Sequence, residues 1–252
     1  MISEALIQQL QDAKHLVVLT GAGVSAESGI ATFRDALTGL WENYDAETLA
    51  SEDGFEADPS LVWGWYEWRR NKVLQASPNP AHRTIAQLAD QVPKFTLVTQ
   101  NVDDLHERAG SQNVLHLHGS LHHPRCFDCN VPYELPMETV QNVQLKESRI
   151  EPPKCQICGG LIRPGVVWFG ESLPVDVWED SVEACEQCDL LFIVGTSASV
   201  YPAASLPYIA HKNGATIVQV NPMITSFNGI AAYNLHGKAG DILPKLYDAT
   251  FS

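Results

Sequence analysis

Six cysteines fall into three Cys-x-x-Cys pairs, and two of these pairs carry the plainest chemistry in the chain. Cys126/Cys129 and Cys155/Cys158 are separated by residues 130–154, a somewhat longer gap than the usual zinc-ribbon spacing. Four thiolates on two tight turns can still complete a tetrahedron around one zinc ion. A closed site of that kind leaves no position for water or substrate, so one structural zinc is expected, and local folding is expected to depend on it. In a chain of 252 residues the pairing points to metal and away from a secreted disulfide framework. The third pair, Cys185/Cys188, ends a predicted helix just before an apolar strand. A small buried hydrophobe serves packing there, and a redox role stays open.

A second chemical signal begins at the apolar run His15–Thr20, which feeds the fourteen residues Gly21–Arg34, GAGVSAESGIATFR. Gly21 and Gly23 permit close backbone approach, and the N–H groups beyond them can point at a phosphate. A tight turn without a ligand explains the glycines equally well. The run partly fits the dinucleotide fingerprint G-x-G-x-x-G/A, with Ala26 last. A dehydrogenase would continue with an amphipathic helix and a strand ending in an acidic residue about twenty positions on. The chain gives Ser28-Gly29-Ile30, Phe33-Arg34 and then an irregular, Trp-rich acidic stretch.

Among nine histidines, His118 and His116 flank Leu117 near a predicted strand end. Composition alone gives both the same claim to acid–base work, and a structural role serves either.

With Thr99–His106 (TQNVDDLH), Leu117–Ser120 (LHGS) and Gly195-Thr196-Ser197 added to the glycine run, the chain resembles the sirtuin family of NAD-dependent protein deacylases over nearly its whole length. The resemblance implies that NAD is consumed as a substrate. The acyl oxygen of a modified lysine attacks C1′ of the nicotinamide ribose, nicotinamide leaves, and a base then takes a proton from the ribose. The products are free lysine, nicotinamide and 2′-O-acyl-ADP-ribose. The LHGS block selects His118 as that base, a task suited to an imidazole with a pKa near neutrality. The family's NAD contacts fall on Gly21, Ala22, Gly23, Ser25, Gln100, Asn101, Val102, Asp103, Gly195, Thr196, Ser197, Asn221 and, more loosely, Ala239. Phe33 and Arg34 match a loop over nicotinamide and the phosphates. Val102 stands where the family usually has Ile. Asn101 and Asp103 also suit a helix start, a role that can coexist with cofactor contact. Val167, Phe169-Gly170-Glu171 and Val200-Tyr201 match segments that clamp a substrate backbone as an extra strand.

Tyr66 and Arg69 lie three apart, hence on one helical face. With Ala50 they match the sirtuin branch that removes malonyl, succinyl or glutaryl groups. A guanidinium grips a carboxylate through two charge-assisted hydrogen bonds, while acetyl offers it nothing to grip. The plainer alternative makes Arg69 and Arg70 exposed helix cations. A sirtuin-like ADP-ribosyltransferase and a non-catalytic binding module are the rival functions.

These residues need a scaffold. Short apolar runs at His15–Thr20, Phe95–Thr99, Val114–Leu117, Leu190–Val194 and Thr216–Val220 alternate with helical patterns such as Asn79–Gln91 and Val175–Cys185. That alternation predicts an α/β fold with a doubly wound parallel sheet and ligands at its carboxyl edge. By resemblance, 1–34, 78–124 and 164–252 form a Rossmann-like NAD-binding domain. A helical module, 35–77, and a zinc-binding module, 125–163, form a small domain beside it, with the substrate cleft between.

The net charge of −14 argues against nucleic acid as a partner and is compatible with basic peptides, although solubility alone accounts for it. Met1–Ala13 has helical spacing and lacks the basic start and apolar core of a signal peptide. With no apolar run of membrane-spanning length, a soluble, monomeric cytoplasmic protein is expected, and the resemblance implies acylated lysines of other proteins as its partners.

Overall fold

The computed structural model describes residues 2–30, 46–135, 149–197 and 199–252. Its strands are β1 His15–Thr20, β2 Lys94–Thr99, β3 Leu115–His116, β4 Arg125–Cys126, β5 Ile162–Arg163, β6 Leu190–Val194, β7 Thr216–Asn221 and β8 Tyr233–His236. Its helices are α1 Glu4–Asp12, α2 Gly23–Ala26, α3 Ala46–Leu49, α4 Glu52–Ala57, α5 Pro59–Gln75, α6 Pro80–Leu88, α7 Leu105–Arg108, α8 Val175–Gln187, α9 Leu206–Lys212 and α10 Ala239–Phe251. Among the described residues, none of these helices is long and apolar enough to cross a membrane.

Six strands form one sheet in the order β3-β2-β1-β6-β7-β8. Every neighbouring pair in it is parallel. The strand order reverses between β1 and β6, the place where an open α/β sheet leaves a crevice beyond its carboxyl ends. Both faces are covered, which is why the central strands read as continuous apolar runs. Leu16, Val18, Phe192, Val194, Val218 and Val220 pack with residues of α1, α6 and α10. Val17, Leu19, Leu191, Ile193 and Ile217 face the opposite layer with α8 and α9 residues.

Several elements differ from the sequence expectation at their ends. The β3 strand is limited to Leu115–His116, where 114–117 was expected, and β7 runs on to Asn221. Tyr233–His236 was not anticipated as a strand, because this edge is half-buried and mixes Asn and His with Tyr and Leu. Helix α6 stops at Leu88, while α8 continues to Gln187.

Away from the sheet, α5 starts on Asp58, whose Oδ1 accepts from Leu61 N at 3.1 Å, with Pro59 in the first turn. It is buried on several faces. Leu61, Val62, Trp65, Tyr66 and Val73 join Leu49, Ala50, Phe55, Leu121, Val166 and Trp168 in a third cluster. A fourth, smaller cluster packs Trp63 against Cys126, Cys155 and Ile162. The four-cysteine region is held by the antiparallel pair β4–β5.

Candidate functional site

At the strand-order reversal the loops after β1 and β6 cross in near contact. Gly23 N donates to the Gly195 carbonyl at 2.8 Å, and Gly21 N to that of Val194 at 3.0 Å. A Cβ on Gly23 would lie 2.7 Å from the Gly195 oxygen; one on Gly195 would lie 2.5 Å from Val24 N, at a φ of +62°. Both positions therefore require glycine for the crossing itself. Thr196 and Asn221 extend this floor, with Asn221 Nδ2 donating to the Thr196 carbonyl at 2.9 Å. Gln100 Nε2 reaches Thr196 Oγ1 at 3.0 Å. The Ser197 hydroxyl is exposed and lies 2.7 Å from that of Ser199.

Ser25, Asn101 and Asp103 meet below the crossing. Ser25 Oγ donates to Asp103 Oδ2 at 3.0 Å and accepts from Asn101 Nδ2 at 3.1 Å. Asp103 Oδ1 accepts from Leu105 N at 3.1 Å just ahead of α7, whose N-cap position is Asp104, while the Asn101 amide turns to Ser25. Burial pushes the Asp103 carboxyl up, against the hydrogen bonds from Leu105 and Ser25. Two buried histidines complete the cluster and were missed from sequence, where nothing marks His106 as buried. His82 Nε2 lies 3.3 Å from Ser25 Oγ and His106 Nε2 3.0 Å from Thr20 Oγ1. Burial drives His82 down to about 4 and His106 well below its ordinary value, so both are neutral. The Asn79-Pro80 helix start was the available signal, since the capping box it forms uses His82.

The geometry separates the two histidines that composition could not. His118 Nδ1 lies 3.0 Å from the Gln100 carbonyl oxygen, which only accepts. Nδ1 therefore carries the hydrogen, and in the neutral ring Nε2 carries the lone pair. Burial lowers the His118 pKa, partly opposed by that carbonyl. His116 contacts two acceptors: the Asn101 carbonyl at 3.1 Å from Nδ1 and Glu107 Oε1 at 2.6 Å from Nε2. Burial disfavours its charge, but Glu107, the Asn101 carbonyl and Asp103 outweigh that and raise its pKa. The two acceptors favour the charged form of the His116 ring, whereas the neutral His118 ring carries its lone pair on Nε2.

Along the other wall, Ala50 and Tyr66 are 4% and 3% exposed. The Arg69 guanidinium carbon lies 4.8 Å from the Trp65 ring centroid and 5.6 Å from that of Tyr66. Burial lowers the Arg69 pKa, against the pull of Tyr66 and Asp103. The plain surface-cation alternative does not survive here: Arg69 is half-buried, and Arg70, 2% exposed, pairs with Glu67 at 2.9 Å. Val102 packs against the same apolar cluster.

The segment 167–171 closes the wall beside His118. Val167 N donates to the His118 carbonyl and Phe169 N to that of Ala50, each at 2.9 Å. Phe169, Val200 and Tyr201 are exposed, and Gly170 has a φ of +88°. Glu171, whose segment was expected to clamp a substrate through its main chain, turns its carboxylate inward. It binds the Arg163 guanidinium and accepts from Trp168 N at 2.7 Å. Burial raises its pKa, but Arg163, Trp168 N and Arg125 together hold it below the usual carboxylate range. Ala22 lies half-buried in the glycine turn. The Ala239 side chain is likewise committed, being packed in the core at the start of α10, where Gly240 N donates to Glu27 Oε1 at 2.9 Å. Phe33 and Arg34 lie outside the described residues.

The four cysteines converge as their spacing predicted, into a set that could hold a metal ion. All four sulfurs lie within 4.8 Å of one another. The Cys126–Cys158 and Cys129–Cys158 separations are 3.4 Å and the Cys129–Cys155 separation is 3.7 Å. A zinc tetrathiolate with bonds of about 2.3 Å has edges near 3.8 Å, so the set fits the ion with slight expansion. Each pair ends in a residue at positive φ, Asn130 (59°) and Gly159 (80°), which closes the turn. The four residues are in position to bind a structural zinc, which would supply cross-linking and no open coordination site. Cys185 and Cys188 are buried in the core, where burial pushes both thiols up, Cys188 to about 12; they serve packing.

Residues 21–202 match the model of the Sir2 family. Among curated relatives, the chain is 60% identical over 247 residues to an NAD-dependent protein deacylase of Methylococcus capsulatus, covering 98% of this chain and 96% of that protein. It is 54% identical to NAD-dependent protein deacylase 1 of Pseudomonas aeruginosa, covering 98% of each. Among solved structures, a Sir2 homologue–NAD complex superposes with a TM-score of 0.91 at 48% identity, covering 99% of this chain and 94% of that one. A Sir2–p53 peptide–NAD+ complex gives 0.84 at 32% identity, covering 99% and 98%. With its glycine crossing, polar cluster and four-cysteine centre on a six-stranded parallel sheet, this chain belongs to the Sir2 family, the sirtuins.

Proposed function

We propose that the protein is an NAD-dependent protein-lysine deacylase with His118 as its general base. The observation that carries this reading is the Nδ1 contact of His118 with the Gln100 carbonyl, which leaves Nε2 as the proton-accepting atom. The relatives' names support the activity. In this reading NAD lies over the crossing at the switch point. Gly21, Ala22, Gly23 and Ser25 face its phosphates and ribose, Gly195, Thr196, Ser197 and Asn221 its adenosine side, and Gln100, Asn101, Val102 and Asp103 its nicotinamide ribose. Phe33 and Arg34 cover nicotinamide, and Ala239 contributes only backbone. His118 Nε2 takes a proton from a ribose hydroxyl once the acyl oxygen has displaced nicotinamide. The segments 35–77 and 125–163 act together as the small domain that forms the far wall of the cleft.

The acyl group is proposed to be acidic, succinyl or malonyl, with acetyl also accepted. A half-buried guanidinium beside the Tyr66 ring, with Ala50 in the same apolar cluster as Tyr66, supports this, because a carboxylate offsets the desolvation of the cation while pairing with it bidentately. The peptide backbone is placed along 167–171 and 200–201. Since the N–H groups of Val167, Trp168, Phe169 and Glu171 are bonded within the chain, it would meet mainly carbonyls and Gly170 N there. Mass spectrometry of one lysine peptide, acetylated or succinylated, with and without NAD, tests the reading. Succinyl loss with equimolar nicotinamide is expected. Acetyl loss alone removes the acidic preference, and NAD cleavage with both peptides intact replaces deacylation by ADP-ribosyl transfer.

A further inference from the structure

Trp168 lies between two residues assigned to the peptide clamp, yet its side chain is 2% exposed and points away from solvent. The Arg163 guanidinium carbon sits 3.5 Å from its ring centroid. Arg163 is itself fixed by both Glu171 oxygens and by the Val166 carbonyl, at 3.0 Å. The indole is thus held on one face by a cation that cannot move without breaking a buried ion pair. Its Nε1–H donates to the Tyr66 hydroxyl at 3.1 Å.

A phenol hydroxyl has one hydrogen and two acceptor lone pairs. Trp168 occupies one acceptor direction, which turns the hydroxyl hydrogen elsewhere. Among the described residues no acceptor takes that hydrogen, and the neighbouring Arg69 is a cation that cannot accept it. Burial pushes the Tyr66 phenol up to about 12, so the hydrogen is present at neutral pH.

We propose that Trp168 is a positioning residue for acyl selectivity. Its N–H orients the Tyr66 hydroxyl as a donor toward the carboxylate of an acidic acyl group, and the Arg163–Glu171 pair locks the indole that does so. The inference rests on the acyl-pocket reading given above. It adds a residue that the pocket motif does not include and gives the inward-turned Glu171 a purpose.

The test is kcat/KM for succinylated and acetylated forms of one peptide at saturating NAD, in wild type, Trp168→Phe, Tyr66→Phe and the double variant. Trp168→Phe keeps a ring beneath Arg163 and removes the N–H. The succinyl-to-acetyl ratio is expected to fall about three- to tenfold, mainly through KM, the size of one modest hydrogen bond. In the Tyr66→Phe background the same change should leave the ratio where it was. An unchanged ratio in Trp168→Phe, or an equal further fall without the Tyr66 hydroxyl, overturns the proposal. Replacing the Trp168 indole by benzothiophene, which keeps the bicyclic shape without the N–H, gives the same reading should Trp168→Phe not fold. Arg69→Met separates the two levels. If it leaves the ratio unchanged, the pocket reading fails and the role of Trp168 with it; if it lowers the ratio while Trp168→Phe does not, the pocket stands and only the role of Trp168 falls.

Discussion

His82 and Ser25, 57 positions apart, are joined by a hydrogen bond whose direction is fixed. Asn79 N donates to His82 Nδ1 at 3.3 Å, so the neutral ring carries its hydrogen on Nε2, 3.3 Å from Ser25 Oγ. With Asn101 Nδ2 also donating to it, the Ser25 oxygen has both acceptor positions filled and must direct its own hydrogen at Asp103. A helix cap on α6 thereby sets the orientation of a hydroxyl in the proposed NAD site.

That arrangement makes stability depend on pH. The folded pKa of His82, about 4, lies below the unfolded value of about 6.5, so the unfolded chain binds more protons between them. Its contribution is complete above pH 6.5 and is lost as pH falls toward 4. At pH 5 the loss amounts to about 2 kcal/mol relative to pH 7. Urea denaturation at the two pH values should show it, and His82→Gln should reduce the difference by that amount, with the buried neutral His106 still contributing to what remains. An identical pH slope in the variant would remove His82 as its source.

Adjacent arginines on α5 should behave differently. Arg70→Met strands the buried Glu67 carboxylate and is expected to cost about 3 kcal/mol of stability. Arg69→Met should cost much less stability and act on acyl choice. Thermal melts paired with the two-peptide assay distinguish them, and equal destabilisation would contradict the assignment.

Gly23→Ala places a methyl 2.7 Å from the Gly195 carbonyl oxygen and 2.9 Å from its Cα. Both loops must separate, at a cost of about 1–3 kcal/mol. Weaker NAD binding by calorimetry and a lowered Tm are expected. Unaltered NAD affinity would show that the crossing does not shape the nucleotide site.

Metal removal should be visible through Trp63, which packs against Cys126, Cys155 and Ile162. One zinc per chain is expected by atomic absorption. Its extraction by a chelator should shift tryptophan emission to the red as that cluster opens. Cys155→Ala should reproduce the shift, and a metal-free chain with unchanged emission would contradict a structural role.

Much of this was legible in the residues because the signals are local. The apolar runs at His15–Thr20 and Leu190–Val194 are buried on both faces and match β1 and β6 end to end. The cysteine pairs depend on short turns and likewise converge as their spacing predicts. What the residues did not disclose depends on partners far away in the chain. The inward turn of Glu171 follows from Arg163, the role of Trp168 from Tyr66, and the burial of His82 from Ser25. Each is a choice of side-chain direction, which residue type leaves undetermined. The edge strand β8 was missed for a related reason, since a half-buried edge needs no apolar run.

The most direct test of the account follows kcat/KM for NAD-dependent removal of an acyl group from lysine against pH, in wild type and His118→Ala. Because burial lowers the His118 pKa, the wild-type activity should fall on the acid side with a midpoint below 6.5. The variant should lose about 10²–10⁴-fold across the range, the share a general base supplies. A variant that keeps wild-type turnover and the same acid limb would contradict the claim that His118 is the base of an NAD-dependent deacylase.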